Sequence, residues 1–147
     1  MSRPPLIASV LCCALMFAPA AAHSADGAGR ASASPATKML AKINAARAAH
    51  GLPAVHPSRT LTARCRSYAR RMARTGQWRH ARNAGAAEIL AYTRRGPQVN
   101  WTVRAWLGSP VHRRVLLGSR YRRVGIAMHK GRIRGGRANI WVVRFTR

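Results

Sequence analysis

Acidic side chains are nearly missing from this chain: Asp26 and Glu88 stand alone against 27 Lys plus Arg, giving a net charge of +25 over 147 residues. Hydrolysis by two carboxylates flanking one bond is therefore excluded, because Asp26 sits in an Ala/Ser/Gly-rich leader. No second acid remains to orient a histidine base once Glu88 is used, and no G-x-S-x-G elbow presents a serine. Cysteine is as scarce. Cys12 and Cys13 fall in an N-terminal apolar run, so Cys65 is the one left to the folded part, and an intramolecular disulfide is excluded. Zinc-finger, OB-fold and RRM signatures are lacking, so nucleic acid is expected to bind only non-specifically.

What is present begins with an export signal. Arg3 precedes the apolar run Leu6 to Ala18, then Pro19 leads into Ala20-Ala21-Ala22, predicting a signal peptide over 1–22. The run is too short to span a bilayer, and Val10 and Leu11 lack the small side chains of a lipidation signal. Residues 23–34 read as a flexible leader, and 35–147 as one domain, secreted or periplasmic, with no transmembrane span once mature. Removing the signal leaves the basic surplus in place. Such a surface steers toward polyanions, and guanidinium forks suit phosphate and carboxylate. Anionic envelope polymers or lipid phosphate are the expected partners.

Hydrophobic spacing places the elements. Ser34-Pro35 supplies a cap and a first-turn proline for a helix carrying Leu40 and Ile43, with Met39 and Ala46 beside them. Gly51 and Pro53 end it. From Ser58 or Thr60, Leu61, Cys65, Tyr68 and Met72 recur as one stripe, with Arg66, Arg70 and Arg74 opposite as a basic ridge. Cys65 therefore reads as a buried hydrophobe. "AAEILAY" reads as two turns of helix carrying Glu88. Pro97 opens a helix with Val99, Val103, Trp106 and Leu107 on one face. Ser109-Pro110 repeats the cap-plus-proline start, for a short helix holding His112. The period then changes to two: Val124, Ile126 and Met128 alternate as in a strand, "GRIRGG" reads as a turn, and "ANIWVVRF" is β-prone, with Trp141 as its anchor. Two strands do not stand alone, so helices must cover them.

"KINAARAAHGLPAVHPSRTLTARCRSYARRMARTGQWRH", "AAEILAY", "AWLGSPVHRRVLLGSRYRRVGIAMHKG" and "IWVVRF", in that order, resemble the bacterial branch of the CAP superfamily, the SCP-like extracellular domains related to cysteine-rich secretory, antigen 5 and pathogenesis-related 1 proteins. The resemblance implies an α+β fold: an α-β-α sandwich with a central antiparallel sheet and helices on both faces. It also implies a cleft in which His80, Glu88 and His112 match family positions. Some members hold zinc there, and others bind sterols or lipids. The chain departs from the pattern at Ala87 and Ile89, which replace the Gly and Asn flanking the motif glutamate. Seven residues, 81–87, replace the longer loop between His80 and Glu88, and the second cleft glutamate has no counterpart.

Two histidines and a carboxylate are a legitimate donor set for zinc or another divalent cation with an open position. The spacing, eight residues from His80 to Glu88 and 24 on to His112, is no compact metal motif. Trp78, beside His80, is expected on the cleft rim. Ser109 with His112 as nucleophile and base is set aside because Ser109 is needed as a cap. The expectation is a binding protein of the bacterial envelope rather than an enzyme, taking a small apolar or lipid ligand or a divalent metal. A metal-dependent envelope hydrolase and a general polyanion binder are the alternatives. Glu88→Gln is expected to weaken metal binding and leave the fold intact.

Overall fold

A computed structural model describes residues 32–147. The expected signal peptide and nearly all of the expected leader lie outside the described residues. Helix α1 (Pro35–Ala48) starts where Ser34 Oγ accepts the Thr37 N–H at 3.1 Å with Pro35 in the first turn. It buries Met39, Ile43 and Arg47, four residues apart and so on one face. Helix α2 (Arg59–Thr75) is capped by Ser58 Oγ, which accepts from the Leu61 N–H at 3.3 Å. It ends on Gly76, whose φ of 67° is left-handed and costs glycine little. Leu61, Cys65, Ala69 and Met72 are buried, Tyr68 is half-buried, and Arg66, Arg70 and Arg74 are exposed.

The sheet has four strands in the order β1 (His56–Pro57), β3 (Arg123–Ile133), β4 (Gly136–Thr146), β2 (Ala87–Thr93). It is mixed rather than wholly antiparallel: two-residue β1 runs parallel to β3, and the other pairs are antiparallel. Two sequence expectations are corrected here. "AAEILAY" is strand β2, not helix. Ile89 packs on one face of the sheet and Leu90 on the other, so both faces are covered and the apolar run carries no period. The "GRIRGG" turn shrinks to Arg134-Gly135, with φ of 48° and 76°. Positive φ at both positions suits a tight two-residue hairpin, so both strands extend further than the sequence suggested.

Helix α2 covers one face, over Leu90, Ala127, Ile140 and Val142. On the other, α1, α3 (Val99–Gly108) and α4 (Pro110–Leu116) pack against Ile89, Ile126, Trp141, Val143 and Phe145. This is an α-β-α sandwich. Fully buried side chains such as Ile89, Val143 and Phe145 each contribute about 1.5–3 kcal/mol. Helix α2 lies close on β3 because Gly125 and Gly131 lack side chains; a Cβ would strike the Leu61 backbone at the first and Ala73 at the second.

Arg47 is fully buried without a carboxylate. Its Nε donates to Pro53 O at 3.0 Å, Nη1 to Leu116 O at 2.8 Å and Gly118 O at 3.1 Å, and Nη2 to Tyr121 O at 3.4 Å. One planar fork thus ties α1 to the end of α4 and the segment after it. Among the described residues no helix is long and apolar enough to cross a membrane.

Candidate functional site

Register builds the first half of the site. Glu88 on β2 stands directly opposite Arg144 on β4, and Ile140 and Val142 on the same strand show that this face of β4 alternates toward α2. Glu88 Oε2 accepts from Arg144 Nε at 2.8 Å and lies 2.8 Å from Nη2. Glu88 Oε1 accepts from the Ala81 N–H at 3.1 Å and meets His80 Nδ1 at 2.9 Å. With its side chain only 4% exposed, this carboxylate has both oxygens satisfied by protein donors. Ion pairing and backbone donation are the conditions under which a buried charge is tolerated.

The segment between α2 and β2 returns His80 to Glu88. Tyr68 Oη donates to Arg79 O at 2.7 Å, pinning that segment to α2, and the Arg144 guanidinium lies 5.2 Å from the Tyr68 ring centre. Trp78, half-buried, meets Tyr92 edge to face at 5.0 Å. His80 reaches the carboxylate through Nδ1, which leaves Nε2 as its outward ring nitrogen, and the imidazole is 59% exposed.

His112 comes from the opposite layer. Ser109 precedes Pro110 at the cap of α4, but its hydroxyl makes no capping bond; it lies 2.9 Å from His112 Nδ1. Ser109 thus keeps its N-cap position as expected, but the expectation that its hydroxyl is used up in capping is corrected, because the i, i+3 spacing brings that hydroxyl to the imidazole. The pair does not make a triad, since Glu88 is committed elsewhere. Burial lowers the His112 pKa below its ordinary 6.5, and the neighbouring charge of His80 lowers it further. Among the described residues no group of three or more His, Cys, Asp or Glu is placed to hold a metal ion. The donors left for a cation are two imidazole Nε2 atoms, with Glu88 behind one of them rather than beside it.

Between the layers, along the free edge of β2, lies a cleft of about 650 Å³ whose walls include Trp78, Tyr92, Trp101 and Trp106. Ser109 and His112 line it together with Arg94 and Arg95. Trp106, 2% exposed, donates Nε1–H to Leu90 O at 3.0 Å and so occupies a carbonyl on the unpaired edge. Trp101 is 52% exposed. Trp141, fully buried in the core, donates to Pro97 O at 3.0 Å and holds the start of α3. Sequence reasoning gave no role to Arg144, Tyr92, Trp101, Arg94 or Arg95. The signal for Arg144 was legible: an arginine inside "IWVVRF" must find a partner.

The cysteine-rich secretory protein (CAP) family matches residues 40–145. Among solved structures, an outer surface protein of Borrelia burgdorferi aligns with a TM-score of 0.60 at 20% identity, over 74% of this chain and 90% of that one. An extracellular protein of Bacillus anthracis containing an SCP domain aligns with a TM-score of 0.60 at 15% identity, over 77% of this chain and 40% of that one. A cysteine-rich secretory protein of Staphylococcus aureus gives 0.54 at 16% identity, over 77% and 38%. A comparison with curated proteins finds no match. Identities this low carry the fold alone, whereas the family match spans most of the sequence. The chain belongs to the cysteine-rich secretory protein family.

Proposed function

We propose that this is an exported binding protein of the bacterial envelope whose β2-edge cleft takes an amphipathic anion such as a fatty acid. The observation that carries the reading is the cleft itself. Its 650 Å³ falls within the range of about 300–1,000 Å³ for small-molecule sites. Aromatic walls suit an apolar body, and Arg94 and Arg95 at the same cleft suit a carboxylate or phosphate head. An extracellular SCP-domain protein and an outer surface protein among the similar structures, with the signal sequence, support export. Binding is favoured over turnover because Glu88 has no free oxygen to act as a general base.

Titration with cis-parinaric acid, a fatty acid that fluoresces when sheltered, tests the reading. Saturable one-to-one binding, weakened at least tenfold when Ala105→Trp fills the cleft, supports it. Non-saturating binding, or no effect of the substitution, overturns it.

A second reading rests on the His80–Glu88 bond. Metal-ligating histidines characteristically give their other N–H to a carboxylate, which fixes the tautomer. Zinc or another divalent cation would be held by Nε2 of His80 and His112, with Glu88 positioning His80. There it would supply Lewis-acid polarisation of a ligand head group. Calorimetry with zinc on chelator-stripped protein tests this: heat lost in both His80→Ala and His112→Ala supports it, and no heat with the unaltered protein overturns it.

A further inference from the structure

A second concavity shares no lining residue with the β2-edge cleft. It measures about 670 Å³ and lies between the outer face of α2 and the segment at Asn83-Ala84. Arg64, Ser67, Arg71 and Arg74 line it at i, i+3, i+7 and i+10, one continuous helical stripe, and Arg70 flanks them. Arg144 and Tyr68 also line it. Arg70 and Arg74, four apart, and Arg71 and Arg74, three apart, are like charges on one helix surface and repel. Nothing in the described chain relieves them. Glu88 is its one side-chain carboxylate, and that group is bound to Arg144, His80 and Ala81.

We propose that this groove is a binding site for ligands carrying two or more phosphate groups close together. Three features separate it from a merely solvated basic face. The guanidiniums converge on a concavity, where low-dielectric walls focus the field. Their forks pair with phosphate oxygens two at a time. The hydroxyl of Ser67 and the amide of Asn83 add neutral hydrogen-bonding groups at the same groove. The basic ridge read from the sequence is thereby shifted: Arg70 and Arg74 belong to the groove with Arg64 and Arg71, and Arg66 does not line it. The chemistry is shared by a free multiphosphate and by clustered lipid phosphates.

The test holds net charge constant. Arg71→Gln/Arg74→Gln removes two groove cations, and Arg114→Gln/Arg120→Gln removes two exposed cations elsewhere. Calorimetry with tripolyphosphate should show one saturable site, weakened at least tenfold in the groove variant and no more than about threefold in the control. Flotation with phosphatidylglycerol-containing vesicles identifies the source. Loss in the groove variant alone assigns lipid phosphate, and equal binding by both variants assigns a free multiphosphate, the tripolyphosphate result standing in either case. Equal losses of tripolyphosphate affinity in the two charge-matched variants would overturn the proposal and leave only diffuse attraction. Because the groove and the β2-edge cleft share no residue, failure here leaves parinaric acid binding unaffected.

Discussion

Glu88 and Arg144 face each other across β2 and β4, and their side chains close to 2.8 Å with 4% and 6% exposure. Breaking such a pair by neutralising one partner leaves a buried, uncompensated charge. Glu88→Gln should therefore destabilise the fold by about 3–5 kcal/mol. This reverses the sequence expectation that the fold would be untouched, because Arg144 was not known to depend on Glu88. Urea unfolding of Glu88→Gln, Arg144→Gln and the double variant should show the double falling well short of the sum. Additive losses would mean the two groups act separately.

Arg47 should be as costly to lose. Arg47→Met keeps the apolar bulk but strips four carbonyls of a charged donor. Hydrogen bonds to charged groups contribute about 1.5–3 kcal/mol each, so a loss of at least about 3 kcal/mol is expected. Arg47→Lys should recover little, since an ammonium cannot spread across Pro53, Leu116, Gly118 and Tyr121. A midpoint near that of the unaltered protein in either variant would contradict the clamp.

How far the sequence showed this fold depends on where each residue faces. Helix α2 was legible because one face is buried and the other wet, so Leu61, Cys65 and Met72 recur at helical spacing. Strand β2 was not: layers on both sides erase alternation, and only its seven-residue length favoured a strand. Of the site, the histidines and Glu88 stood out through scarcity of acids and a family resemblance. Arg144 carried a signal in its apolar strand that went unread, and Arg47 carried none, because among so many arginines nothing local in helix α1 marks it as buried. Ser109 holds the N-cap position the sequence indicated, but its hydroxyl serves His112 instead of the backbone, and a capping hydroxyl and a histidine partner look alike in sequence.

Cys65 should be inert in the native state. It is fully buried, its thiol donates to Gly125 O at 3.4 Å, and burial pushes its pKa up to about 12. Thiolate is the reactive form, so Ellman's reagent at pH 8 should label the folded protein only at the rate of unfolding, and fully in denaturant. Rapid stoichiometric labelling without denaturant would contradict the packing of α2 on β3.

His112 gives the fold a pH dependence of stated sign. Its folded pKa lies below the ordinary 6.5 through burial first and the His80 charge second. As pH falls through 6.5 the unfolded chain takes up a proton that folded His112 does not, so stability declines until the folded pKa is passed. The drop between pH 7.5 and 5.5 should be smaller in His112→Asn than in the unaltered protein. In NMR titrations the His112 resonance should shift at higher pH once His80→Ala removes the neighbouring cation. An unchanged pH dependence in His112→Asn would show that His112 titrates freely.

The proposed role in binding an amphipathic anion is tested most directly by a crystal structure with a fatty acid brominated near the end of its chain. The expected result is an anomalous bromine peak inside the β2-edge cleft among Trp78, Tyr92 and Trp101, with the carboxylate toward Arg94 or Arg95. It should vanish in Ala105→Trp. Bromine density confined to the Arg64–Arg74 groove, with the cleft empty, would contradict it.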